Sequence, residues 1–139
     1  MFEKILVAVD GSEHGLKAAR AAGEMSRQHK AELWVVVAYD VLPKYLGEPN
    51  LQEAINQRLS HSEEIYAAAI KEIGKVPHPL NKEILEGPAA EAILSVARMR
   101  EVGLIIMGTR GLGRLTSALL GSQSYKVVGE ATCPVMLVR

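Results

Sequence analysis

Two kinds of apolar pattern alternate along the chain. Residues 5–9, 33–38 and 104–107 are unbroken apolar runs rich in Val, Ile and Leu, the pattern of parallel strands covered on both faces. Val135-Met136-Leu137-Val138, with Pro134 just ahead, reads as another strand. Residues 81–86 hold Ile84 and Leu85 among polar and charged neighbours, and so polar a strand belongs at a sheet edge. Between these runs, apolar positions recur at helical spacing. Ser12 can cap a helix running to about residue 28, with Leu16, Ala19, Ala22 and Gly23 on a stripe of small residues that can lie close to the sheet. Residues 51–73 place Leu51, Ile55, Leu59, Ser62, Tyr66, Ala69, Ile70 and Ile73 at three- and four-residue intervals, and Gly74 stops that helix. Gly87-Pro88 opens a third, with Pro88 at the first helical position and Ala89, Ala90, Ile93, Leu94 and Ala97 on its buried stripe. A fourth runs from about residue 122 to residue 130.

Strands alternating with helices predict an α/β domain, an open parallel sheet with helices on both faces. The first and fourth strands are the strongest central candidates. If they are neighbours, the chain winds outward from strand 1 through strands 2 and 3 on one side and from strand 4 to strand 5 on the other. Their carboxyl ends then flank a topological switch point, the usual ligand crevice of such sheets, with Asp10 opposite Gly108. Residues 39–50, with Pro43, Gly47 and Pro49, read as a loop that can serve as a lid over that crevice.

Composition narrows the function classes. At 139 residues the chain has the size of one domain, and an apolar fraction of 48% with 23% charged residues is that of a soluble globular protein. Sixteen Lys plus Arg balance sixteen Asp plus Glu. Without a basic excess or a long basic run, a nucleic-acid partner is not expected. The apolar N-terminal segment is too short to span a membrane and lacks a secretory cleavage signal, so a cytoplasmic, membrane-free protein is expected. The single cysteine, Cys133, has no partner within the chain and sits beside a buried strand, where a small packed residue is commoner than a reactive thiol.

Candidate chemistry gathers at residues 104–124, where an apolar run opens at Gly108 into a loop with Gly111 and Gly113, followed by Gly121-Ser122 at the next helix start. Glycine permits close approach of backbone to a ligand, and unpaired N–H groups in such a loop and at a helix start suit a phosphate. The spacing is neither the dinucleotide fingerprint nor a Walker loop, and the glycines can equally build a surface turn. Asp10 can bond a ribose or base amine, or help hold a metal ion that bridges phosphates; equally it can form an Asx turn or a helix cap. Thr109, Arg110, Arg114, Thr116, Ser117, Ser122 and Ser124 can surround a phosphate chain, although either arginine can be an ordinary solvated residue. Ala38 and Met107 can line an apolar slot for a purine or simply pack in the core, and Trp34 reads as core. His14, His29, His61 and His78 show no metal spacing, and no nucleophile or general base stands out.

The segments KILVAVDGSEHGLKAARAA, AELWVVVAYDVLP, EILEGPAAEAI and ATCPVMLVR together resemble the universal stress protein family over essentially the whole chain. The family's nucleotide signature, glycine, two residues, glycine, nine residues, glycine and then Ser or Thr, falls on Gly108, Gly111, Gly121 and Ser122. The resemblance implies a Rossmann-like five-stranded sheet ordered 3-2-1-4-5, the ATP-binding branch of the family, and a homodimer through residues 135–138. It implies that Val9 lies near the base and that Asp10 meets the ribose, or the metal and phosphates. Backbone around Ala38 recognises adenine, Met107 and Gly108 lie beside ribose and phosphates, and Gly111 lets the loop turn. Gly121, Ser122 and Ser124 hold the phosphate chain. Gly103 stands where the family usually has Asp, altering the turn into strand 4. Gln123 stands where a small or β-branched residue is common, altering phosphate contacts.

The function so implied is that of an ATP-binding, regulatory or protective homodimer, with Mg²⁺ or Mn²⁺ accompanying the triphosphate and at most slow hydrolysis. The alternatives are a weak ATPase using the same pocket, and a nucleotide-free dimeric module whose residues 39–59 contact a protein client.

Overall fold

In the computed structural model, which describes residues 1–109 and 121–139, the elements follow one another as β1 (Lys4–Val9), α1 (Glu13–His29), β2 (Glu32–Tyr39), α2 (Asn50–Ile73), β3 (Asn81–Glu86), α3 (Ala89–Arg100), β4 (Leu104–Gly108), α4 (Ser122–Glu130) and β5 (Val135–Val138). A single 3₁₀ turn at Lys44–Leu46 interrupts the segment between β2 and α2. The strands form one parallel sheet in the order β3-β2-β1-β4-β5, as expected from the resemblance.

The unbroken apolar runs have a direct structural cause. Successive side chains of a strand point to opposite faces, and here each face has its own core. Ile5, Val7, Val9, Leu33, Val35, Val37, Leu104 and Ile106 are buried in one core together with Ala18, Ala19 and Ala22 of α1 and Ala69 and Ile73 of α2. Leu6, Ala8, Trp34, Val36, Ile105 and Met107 enter the other, with Ala90, Ile93, Leu94, Val96 and Ala97 of α3 and Val127 of α4. β3 is the polar edge, where Lys82 pairs with Glu63 and Glu83 with Arg100, both at 2.9 Å.

Small residues set the helix spacing. A Cβ built on Gly23 of α1 would lie 2.3 Å from the Ile73 carbonyl oxygen, so α1 and the end of α2 pack at a distance only glycine permits. Arg27 ties the same joint, donating to the carbonyls of Ile73 and Lys75 at 2.7 and 2.8 Å. Gly103 does similar work at the turn into β4, where a Cβ would meet the Met1 carbonyl oxygen at 2.2 Å.

Two expectations are corrected. Pro88 is the residue before α3 rather than its first helical position: its ψ of 149° is extended, and its carbonyl accepts the first helical bond, from Ala92 N–H at 3.1 Å. The predicted stripe of α2 is buried only toward the C-terminal end, at Ser62, Ala69 and Ile73, whereas Leu59 is exposed. In the first half of α2, Leu51 and Ile55 are only half-buried. Among the described residues, no helix is long and apolar enough to cross a membrane.

Candidate functional site

The carboxyl ends of β1, β2 and β4 meet at the point where the strand order reverses. Val9 pairs with Val37, and Val7 with Ile106. Carried forward in register, Asp10 and Thr109 leave the sheet beside Ala38, which β2 still holds against Leu85 of β3. α1 and α4 both begin at this edge; α1 is capped by Ser12, whereas α4 has no side-chain cap, so its first N–H groups are the ones left for an anion.

Asp10 divides its carboxylate between two roles. Oδ1 accepts from the Ser12 N–H at 3.0 Å and from the Ser12 hydroxyl, while the Ser12 oxygen accepts from Gly15 N–H at 3.1 Å and caps α1. Gly15 makes room for this arrangement, since a Cβ there would lie 2.9 Å from Asp10 Oδ1. The Asx-turn role is therefore present, but it uses one oxygen. Oδ2 is buried and has no hydrogen-bond partner among the described residues. Buried polar atoms are rarely left so, because an unmet acceptor costs about 1–3 kcal/mol. This oxygen is suited to a ligand hydroxyl, a water or a cation.

Gly121 occupies the N-cap of α4 with φ −70° and ψ 159°, and it supplies no side chain to cap the helix. Among the described residues, a Cβ at Gly121 would meet only the Thr109 carbonyl oxygen, at 3.7 Å. Neither dihedral nor neighbour demands glycine here. What its bareness provides is access to the first N–H groups of α4. Thr109 closes the strand end: its N–H donates to Val138 O at 2.9 Å, its carbonyl accepts from Gly121 N–H at 2.8 Å, and its hydroxyl lies 3.4 Å from His14 Nδ1.

The other candidates fall into two groups. Val9 and Met107 are enclosed in the two cores, so toward the crevice they offer backbone rather than side chain. Ser124 is buried and donates to the Gly108 carbonyl at 3.0 Å, fastening α4 to the end of β4. Gln123 extends toward α3, its Oε1 accepting from Ala90 N–H at 2.8 Å. Ser122 is exposed at the start of α4. Ala38 lines a cavity of about 240 Å³ formed by residues 38–41 and 87–89, with Gln123 in the same wall. The expectations for Gly111, and for Arg110, Gly113, Arg114, Thr116 and Ser117, lie outside the described residues.

Sequence reasoning missed two parts of this arrangement. His14 attracted notice only for lacking metal spacing, yet it follows Asp10 by four residues on the first turn of α1. The Gly87–Pro88 turn entered only as a helix start, although it follows the carboxyl end of β3, where such folds build sites. Cys133 lies at the opposite, amino-terminal end of the sheet, just before β5, and burial pushes its thiol up from the ordinary value. It takes no part in the crevice.

The universal stress protein family model matches residues 1–139. The chain is 50% identical over 139 residues to a Thermus aquaticus protein described as a universal stress protein in the QAH/OAS sulfhydrylase 3′ region, with all of both chains covered. The solved structure of universal stress protein UspA from Lactobacillus plantarum superimposes with a TM-score of 0.86 at 25% identity, covering 99% of this chain and 98% of that one. A universal stress protein from Archaeoglobus fulgidus, solved in complex with dAMP, shares the fold with a TM-score of 0.74 at 22% identity over 100% of both chains.

Proposed function

The chain belongs to the universal stress protein family, and from that premise we propose that it binds an adenine nucleotide, ATP with Mg²⁺ or Mn²⁺, across the carboxyl ends of β1, β2 and β4. The observation that carries the reading is the Oδ2 of Asp10 at the switch point, buried and without a partner among the described residues. A ribose hydroxyl is the donor that this oxygen lacks, and the neighbouring α4 N-terminus, left open by Gly121, suits the phosphates. The ring then rests in the cavity beside Ala38. Its volume of about 240 Å³ is below the roughly 300–1,000 Å³ of whole-ligand sites, as befits a pocket for the base alone. A dAMP complex in a relative of the same fold supports the ligand class.

Among the described residues, no group of three His, Cys, Asp or Glu side chains could hold a metal ion. A cation accompanying the nucleotide would be held mainly by its phosphates, a common arrangement for Mg²⁺, and would neutralise phosphate charge there, while Asp10 Oδ2 serves the ribose.

Nucleotide occupancy would act as a signal through a homodimer joined along β5. Among the described residues that strand pairs with β4 alone, its four residues are half-buried, and Tyr125 and Val128 of the adjoining α4 are exposed. An apolar edge of this kind calls for a partner.

The test is to denature the purified protein, identify any released nucleotide by mass, and titrate the refolded protein with ATP and Mg²⁺ in a calorimeter. Adenine nucleotide in the first measurement, or stoichiometric binding in the second, is expected. Neither released nucleotide nor binding would reject the reading. Phosphate release followed on the same samples separates a sensor from a weak ATPase, and sedimentation at micromolar concentration tests the dimer.

A further inference from the structure

Gln123 is placed to do more than line the wall of a pocket. Helix α3 has no side-chain cap of its own, because its N-cap is Pro88. Gln123, the second residue of α4, reaches across and accepts the Ala90 N–H at 2.8 Å. A backbone N–H can be met only by the carbonyl end of a carboxamide, so this bond fixes which way the amide faces. The oxygen is committed to α3. The same side chain borders the cavity of residues 38–41 and 87–89; among the described residues its NH₂ end has no partner, and that end, which can only donate, is what it offers an occupant.

We propose that Gln123 is a base-selecting residue: its oriented amide donates to the ring held in this cavity and favours adenine, whose N1 is a bare acceptor, over bases that carry a hydrogen at N1. The inference rests on the nucleotide reading given above. In hypoxanthine or guanine, N1 is itself a donor, so two N–H groups would oppose each other. Rotating the amide to relieve this would strip the Ala90 N–H of its acceptor and leave a helix start unmet. The α3 cap thus works as a lock on specificity. A residue of the small or β-branched type expected at this position has no amide to offer, so the selection belongs to this chain's glutamine.

Gln123→Glu separates capping from selection. A carboxylate keeps an acceptor for the Ala90 N–H at a helix N-terminus, where negative charge is favourable, but it has no hydrogen to donate. The experiment compares binding of AMP and IMP to the wild type and to Q123E by calorimetry, with thermal unfolding of both. Repulsion between the new carboxylate and the phosphate weakens both ligands alike, so the ratio of affinities is the readout. The wild type should prefer AMP by about tenfold, the value of one hydrogen bond made or lost. In Q123E that preference should be lost or reversed, because a carboxylate accepts from the N1–H of IMP and meets the bare N1 of AMP as a second acceptor, while the melting temperature holds. A preference retained in Q123E would overturn the proposal and leave Gln123 as a cap. Equal binding of AMP and IMP by the wild type would also overturn it, while the nucleotide site stands. A wild type that binds neither refutes the nucleotide reading and this inference with it. Should Q123E not fold, Gln123→Met, similar in volume and lacking both functions, should likewise lose the AMP preference, and retention of that preference would overturn the proposal.

Discussion

Substituting Asp10 by Asn tests the division of labour within one side chain. The amide oxygen of Asn can take over both bonds that Oδ1 accepts from Ser12, so the turn into α1 and its cap survive. The NH₂ group replaces Oδ2, the oxygen that is buried without a partner among the described residues. In the free protein this exchange removes an unmet carboxylate oxygen, so the stability change should stay within about 1 kcal/mol. With nucleotide bound, a bond from a hydroxyl to a charged acceptor, worth about 1.5–3 kcal/mol, gives way to a neutral one worth about 0.5–1.5 kcal/mol. The net loss is about 1–2 kcal/mol, or roughly 5- to 30-fold in affinity. Calorimetric titration with AMP gives the affinity and urea unfolding gives the stability. An affinity within twofold of wild type would show that Oδ2 does not wait for a ligand. A free protein destabilised by more than about 2 kcal/mol would show that this oxygen serves the fold instead.

Gly121→Ala should leave unfolding within about 1 kcal/mol of wild type, since φ is −70° and the added Cβ meets only the Thr109 carbonyl at 3.7 Å; nucleotide affinity should fall about tenfold or more by calorimetry, and undiminished affinity would remove phosphate from that helix end. Gly23→Ala should do the opposite. Its Cβ would sit 2.3 Å from the Ile73 carbonyl oxygen, so urea unfolding should register a loss of about 1–3 kcal/mol or more, and a neutral result would mean that α1 and α2 are farther apart than described. Burial raises the Cys133 thiol above 9.0 and, against a lowering effect of Lys82, the Tyr66 phenol above 10.0. Both groups keep their protons longer in the folded chain than in the unfolded one, so stability should fall as pH rises from 9.0 through the raised folded values. Cys133→Ala should flatten the lower part of that fall in a pH series of melting curves, and an unchanged slope would count against thiol burial.

What the sequence determined by itself was the periodic part of the protein. Val and Ile on consecutive positions in residues 5–9 and 33–38 required strands covered on both faces, and the charged neighbours of Ile84 and Leu85 required an edge; local patterning carries such information because side-chain direction alternates along a strand. The spacing of Gly108 and Gly121-Ser122 and the position of Asp10 at a strand end marked the candidate crevice. Tertiary structure decided which atoms remain available there. The bonds from Ser12 to Asp10 Oδ1 are local to the turn into α1, but the burial of Oδ2 without a partner among the described residues depends on the elements around it, and that Ser124 is turned to Gly108 and Gln123 caps a helix more than thirty residues away in the chain depends on how α3 and α4 pack against the sheet. Sequence spacing names the donors and acceptors of a site, but their pairing depends on distances between elements, and those are set only when the two cores close.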